Sequence, residues 1–109
     1  MALAVACYSA TKAFPSSEAY GMTSQIRRSA ASIAANIAEG HGRENTGSFI
    51  QSLRIAQGSL KELETHLILS EQVGLLGERL LSPLLEQTNE IGNMLRSMIR
   101  KLQQRQMSE

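Results

Sequence analysis

Four cations close to the end of the chain have the plainest chemistry: Arg96, Arg100, Lys101 and Arg105 face a single carboxylate, Glu109. Guanidinium and ammonium groups gathered on one helix neutralise phosphate oxygens, and they gain affinity by releasing counterions from a polyanion. Arg96 and Arg100 stand one helical turn apart, and Arg105 is read as lying near them on the helical wheel. The same cations also suit a helix C-terminus, where the macrodipole favours positive charge with no ligand present. A solvated helix end is therefore the simpler reading. No aromatic residue stands among them, so sequence-specific readout by base stacking is not expected from this tail.

A second set is polar and ordered. Gln25, Arg28, Ser32, Asn36 and Glu39 recur at steps of three and four and fall on one stripe of a helix. Such a stripe can line a groove in which Arg28 receives an anion. It can equally make a hydrogen-bond network with Glu62 or Glu64 of another helix, fixing register inside a bundle or between subunits. Arg–carboxylate pairs serve that purpose well even where their net stabilisation is small. The structural role is the favoured one.

Enzymatic chemistry finds little to work with. His41 and His66 are the only histidines, and neither has Glu three places before it. The paired Glu-x-x-His motifs of di-iron bundles are thus missing, and no metal or other cofactor is expected. Glu62 and Glu64 are two apart and cannot share a helix face. Gly40-His41-Gly42-Arg43 lacks the lysine and the preceding strand of a phosphate-binding loop, and reads as a turn. Ser9, Ser32 and Ser59 have no nucleophile-elbow context. Cys7, the lone cysteine, lies on an apolar helix face and reads as a buried thiol.

The elements that position these residues are helical. The 109 residues suit one domain. Hydrophobic residues make up 42% of the chain but aromatic ones only 4%, so the core must be built of Leu, Ile, Ala and Met. The net charge of +1 demands no polyanion partner. No stretch approaches the roughly 20 apolar residues of a membrane span. The apolar start has no positively charged lead of a secretion signal. With a single cysteine, this makes a soluble cytoplasmic protein the expectation.

Hydrophobic spacing predicts helices over about 2–14, 17–39, 46–73 and 79–103. Pro15 stops the first, with Ser16 or Ser17 capping the second. Met22, Ile26, Ala30, Ile33 and Ile37 form an apolar seam on the second helix, with Gly21 inside it. Ala31, Ala34 and Ala38 form a separate strip of small side chains suited to close helix approach. Gly40 and Gly42 mark its C-cap, and Asn45 or Thr46 caps the third helix. Phe49, Leu53, Ala56, Leu60, Leu63, Leu67 and Ser70 give the third helix the cleanest heptad rhythm. Leu81, Leu84, Thr88, Ile91, Leu95, Met98 and Leu102 repeat it in the fourth, with Pro83 in or just before its first turn. Residues 103–109 are expected to fray. Short connections and no alternating strand pattern predict an all-α, antiparallel up-down four-helix bundle.

Several motifs in this order resemble one family. They are Phe14-Pro15-x-x-Glu18-x-Tyr20-Gly21-Met22, Gln25-Ile26-Arg27-Arg28, Asn36-Ile37-Ala38-Glu39-Gly40 and Gly58-Ser59-Leu60-x-Glu62-Leu63-Glu64. The family is that of the four helix bundle proteins, also called 23S rRNA intervening-sequence or S23-like proteins, and the resemblance runs from about Tyr8 to Arg100. It implies an antiparallel bundle assembling as a homopentamer with no established catalysis. A related branch, the accessory variability determinant of diversity-generating retroelements, is a basic pentamer that binds a reverse transcriptase and nucleic acid, which by analogy makes RNA or a nucleoprotein a candidate partner. This chain is nearly neutral where that branch is strongly basic. Family members also carry a further segment ahead of this chain's start, so the resemblance implies that Met1 is an internal methionine and that the first helix is shortened. The expected function is a non-enzymatic homo-oligomeric scaffold or adaptor for RNA or a nucleoprotein. A protein-binding module with no nucleic-acid role is the rival.

Overall fold

Phe14 precedes Pro15, and the proline ring disfavours helical geometry in the residue before it. The first helix, α1 (Ala2–Thr11), accordingly stops short of Phe14. Thr11 closes it by donating its hydroxyl to the carbonyls of Cys7 (2.8 Å) and Tyr8 (3.1 Å). Phe14 turns inward and is buried. The computed structural model describes residues 1–108. After one 3-10 turn at Ser16–Glu18, α2 runs Met22–His41.

The second helix therefore begins later than its spacing predicts. Gly21 is the N-cap of α2 and not an interior residue. The cap is Glu18, whose Oε1 accepts from the Met22 amide at 3.2 Å. A carboxylate there meets the positive end of the helix dipole, and the cost of an interior glycine is avoided. Ser16 and Ser17 are taken up in the 3-10 turn.

The other boundaries follow ordinary chemistry. Asn45 caps α3 (Thr46–Gln72), its side chain accepting from the Ser48 amide at 2.7 Å. At its far end Gly74 has φ 84°, and the Leu75 and Gly74 amides return to the Ser70 and Glu71 carbonyls. That is the Schellman arrangement, which needs a left-handed residue and so favours glycine. The fourth helix, α4 (Glu78–Ser108), runs straight through Pro83. Pro83 is exposed there, so the carbonyl its missing N–H leaves free can turn to water. Nor does the tail fray before Ser108: Leu102 is buried, and the Gln106 side chain lies beside Gly47 at the start of α3.

The four helices share one apolar core, and no strand occurs among the described residues. Cys7 of α1, Ile26 and Ile33 of α2, Leu53, Leu63 and Leu67 of α3, and Leu95 and Ile99 of α4 are all buried in it. Each predicted seam thus faces inward. The alanine strip does not, for Ala31 and Ala38 are exposed and Ala34 half-buried. At 1.5 Å per residue α4 is about 46 Å long, which accounts for most of the 51 Å long axis of the molecule. No helix among the described residues is long and apolar enough to cross a membrane.

Burial sets the chemistry of Cys7. Its thiol has no exposed surface, and desolvation of the thiolate pushes its pKa from 9.0 up to about 11. At pH 8 only about one native thiol in a thousand is ionised at that value. Alkylation by iodoacetamide should therefore follow global unfolding, rising with urea along the same curve as the loss of helix. Because the folded state holds this proton longer, its stabilising contribution is complete below pH 9 and is lost as pH rises towards 11. Fast modification in native buffer would contradict this.

Candidate nucleic-acid interface

All four tail cations lie on α4, are exposed, and pair with no carboxylate among the described residues. They do not form one face. At about 100° per residue Arg105 lies half a turn round the helix from Arg96, so the expectation that it joins Arg96 and Arg100 is corrected. The tail instead carries two pairs, Arg96 with Arg100 on one side and Lys101 with Arg105 on the other.

The first pair adjoins a cleft. Between α3 and α4 lies a space of about 290 Å³ lined by Gln57, Lys61 and Glu64 from one helix and by Asn89 and Arg96 from the other. Leu60, Thr88 and Gly92 complete its lining. Gly92 forms part of its floor, and a Cβ there would make ordinary contacts, 3.4 Å from Leu60 Cδ2 and 3.6 Å from a guanidinium nitrogen of Arg96. The Arg96 head folds back over the helix and hydrogen-bonds Asn93 Oδ1. Exposed Lys61 has its Nζ 3.7 Å from Oε2 of the half-buried Glu64, a long contact that holds it only weakly. The cleft thus sets two cations, Lys61 and Arg96, against the one carboxylate of Glu64, with the side-chain amides of Gln57 and Asn89 beside them, a lining whose donors can meet a phosphate and its neighbouring polar groups.

Sequence reasoning finds Arg96 but not Gln57, Lys61 or Asn89. A signal is present. Gln57, Lys61 and Glu64 are spaced four and three on α3, as Gly92 and Arg96 are spaced by four on α4. Nothing in the spacing tells which polar stripe of α3 meets which stripe of α4.

The ordered stripe of α2 divides into separate pieces. Ser32 Oγ and Ser59 Oγ lie 2.8 Å apart and tie α2 to α3. Asn36 Nδ2 donates to the Ser32 carbonyl (2.9 Å) and hydroxyl (3.2 Å). Gln25 is half-buried, with its carbonyl taken by the Ser29 hydroxyl at 2.8 Å. Glu39 turns away to Arg43 at 2.6 Å. Arg28 is exposed and meets neither Glu62 nor Glu64, because Glu62 lies 3.7 Å from His66 and Glu64 beside Lys61, both within α3. Neighbours one turn away on the same helix have reached these carboxylates first. The Glu62–His66 contact also gives His66 a carboxylate partner four places before it, one turn back and not at the three-residue spacing of a Glu-x-x-His motif. No group of three His, Cys, Asp or Glu side chains suited to a metal occurs among the described residues.

Another arginine proves more tightly held than Arg28. Arg27 Nε donates to Thr11 Oγ1 at 2.9 Å, Nη2 reaches the Tyr8 carbonyl at 3.4 Å, and the guanidinium lies 4.7 Å from the centre of the Tyr8 ring. These contacts clamp the short α1 onto α2.

Residues 1–97 match the sequence profile of a family described as 23S rRNA-intervening sequence protein. The chain is also similar to a protein of unknown function from the S23 ribosomal protein family of Bacteroides thetaiotaomicron VPI-5482, known from its crystal structure. The two are 32% identical with a TM-score of 0.71, over 72% of this chain and 73% of that one. No curated protein matches the chain.

Proposed function

The chain belongs to the 23S rRNA-intervening sequence protein family, and on that premise we propose that it is a non-enzymatic, homo-oligomeric scaffold that binds RNA. The observation that carries the proposal is the α3/α4 cleft, where Lys61 and Arg96 share one polar groove, with Arg100 exposed one turn further along α4. The protomer is an antiparallel up-down bundle. Its register supports this, since Ser32 meets Ser59 while Gly40, further along α2, meets Ser52, earlier in α3. Assembly, with a pentamer favoured, is supported by the exposed alanine strip of α2 and by large exposed apolar side chains such as Ile55, Ile68 and Val73. A ring of copies repeats the basic α4 ends, so that a protomer of net charge +1 still presents a positive field. A scaffold role in place of catalysis is supported by the Ser32 and Ser59 hydroxyls, which are spent on each other, and by the protonated Cys7 thiol.

Retention of RNA at about 150 mM salt tests the proposal, because that concentration removes most weak phosphate binding. The Arg96→Ala/Arg100→Ala/Lys101→Ala/Arg105→Ala variant should bind about tenfold more weakly, with a salt slope shallower by about 0.7 for each phosphate that is no longer neutralised. The Arg96/Arg100 half should account for most of the weakening. Equal binding by variant and wild type would reject the assignment. The rival reading, a protein-binding module with no nucleic-acid role, draws on the exposed Ile68, Leu69 and Val73 near the end of α3. It predicts capture of a partner protein that salt does not weaken, together with no measurable RNA binding.

A further inference from the structure

Arg54 is exposed on α3 and pairs with no carboxylate among the described residues. It stands one heptad before Lys61, which places it within about 20° of Lys61 around the helix and about 10 Å along it. Lys61 lines the α3/α4 cleft, so Arg54 continues the same flank of α3 past the cleft's edge. The facing helix is set by two contacts: Leu60 Cδ2 packs against Gly92, and the Gln106 side chain lies beside Gly47. On the antiparallel reading above, that register puts Arg54 opposite Met98, midway between Arg96 and Arg100. Cations therefore follow one another along the groove as Lys61, Arg96, Arg54 and Arg100. They alternate between α3 and α4 over about 14 Å at 1.5 Å per residue. Glu64 is the one carboxylate lining the cleft, and it lies at the Lys61 end of this strip.

The lining also bears on the form of nucleic acid that fits. No aromatic residue lines the cleft, whereas single-strand sites stack unpaired bases on aromatic rings. Bases that find no ring to stack on stay stacked inside their own double helix. An A-form duplex presents phosphates and 2′-hydroxyls that can be met without opening it. Gln57 and Asn89 stand among the cations with amides that both donate and accept, as a 2′-hydroxyl does. We propose that this strip binds the sugar–phosphate backbone of double-stranded RNA irrespective of sequence, with Lys61, Arg96, Arg54 and Arg100 on phosphates and the Gln57 and Asn89 amides on 2′-hydroxyls. The inference rests on the RNA-binding reading above, adding Arg54 to that site and naming the form of the RNA.

The test is fluorescence anisotropy of the full chain at about 50 and 150 mM salt, a range over which phosphate contacts lose affinity steeply. The probes are two RNA duplexes of unrelated sequence, a DNA duplex and an oligouridine strand, all longer than the roughly 16 base pairs that a double-strand-binding domain spans. The two RNA duplexes should bind within about twofold of each other, because phosphate contacts carry no sequence information. The DNA duplex, without 2′-hydroxyls, should bind about fivefold more weakly and oligouridine about tenfold more weakly. Arg54→Ala should weaken both RNA duplexes equally, about as much as Arg96→Ala does, and should flatten the salt dependence by a similar step. Arg54→Lys should keep most of the binding, since a phosphate is met by charge. Arg79→Ala, at an exposed arginine in the first turn of α4 and away from the strip, should leave binding unchanged. Oligouridine held as tightly as the duplexes, DNA held as tightly as RNA, or an Arg54→Ala chain that binds like wild type would each overturn this inference and leave the RNA-binding reading standing. No binding of any RNA at either salt concentration overturns both.

Discussion

Leu63→Ala should cost the fold about 3 kcal/mol, within the 2–5 kcal/mol that truncation of a buried leucine removes. Leu63 has no exposed surface and lies in the cluster with Ile26, Ile33 and Leu95. Truncation there removes buried methyl groups and leaves a space that helices on several sides cannot all collapse to fill. A domain of this kind has about 5–15 kcal/mol of stability in total, so the variant should unfold at a much lower urea concentration. Its m-value should be unchanged, because the surface exposed on unfolding is nearly the same. Gln51→Ala, at an exposed site on the same helix, should stay within about 0.5 kcal/mol of wild type. Assembly makes apparent stability depend on concentration, so the chains are compared at equal protein concentration by circular dichroism. A loss below about 1 kcal/mol for Leu63→Ala would displace α3 from the centre of the core.

That residue is legible from spacing alone. On α3 and α4 the apolar positions alternate cleanly with polar ones, so periodicity locates both helices and their inward faces. The contrast is weaker around the first connection. There Phe14, pushed out of helical geometry by Pro15, folds inward, and a glutamate caps a helix from across a glycine. Residue types alone point to serine caps, because Ser16 and Ser17 are better N-cap formers than a glutamate reaching over from an earlier turn. The C-terminal tail departs from expectation for a related reason. Its composition is polar, but Leu102 is buried and Gln106 lies along the start of α3, contacts that no local pattern announces.

The candidate site is legible only in part, and its limits have one physical origin. A helical wheel gives the face a side chain occupies but not the height at which it meets the next helix. Arg28 and Glu62 lie on stripes that look complementary, yet the carboxylate lies beside His66 and Arg28 stays in solvent. Conversely, Lys61 and Arg96 belong to stripes that nothing in the spacing pairs, and packing of Leu60 against Gly92 brings them to one cleft. Pairing across helices is a tertiary property. Residue chemistry narrows it and register decides it.

Gly40 shows register overruling residue type, and it carries the second large prediction. It lies inside α2 and not at the C-cap, which is Gly42, so helix propensity alone would favour alanine there, since glycine inside a helix is about 1 kcal/mol worse than alanine. In the fold it is buried within the last turn of α2, and a Cβ there would lie 2.9 and 3.1 Å from Phe49 ring carbons and 3.3 Å from Ser52 Cβ. Carbon atoms at optimal contact are about 3.5–4.0 Å apart. The ring cannot move freely, because it packs against the apolar core and also meets His41 edge-to-face at 4.9 Å. Packing should therefore outweigh propensity, with Gly40→Ala losing about 1–2 kcal/mol and Gly40→Val about 3 kcal/mol. The decisive comparison is made in a Phe49→Leu background, where the ring is gone. There Gly40→Ala should become neutral or stabilising, a change of sign that a coupling between touching residues produces and a solvent-facing cap does not. Equal effects of Gly40→Ala with Phe or Leu at position 49 would mean that α2 and α3 do not meet here, and the α2/α3 register deduced from Ser32 and Ser59 would fall with it.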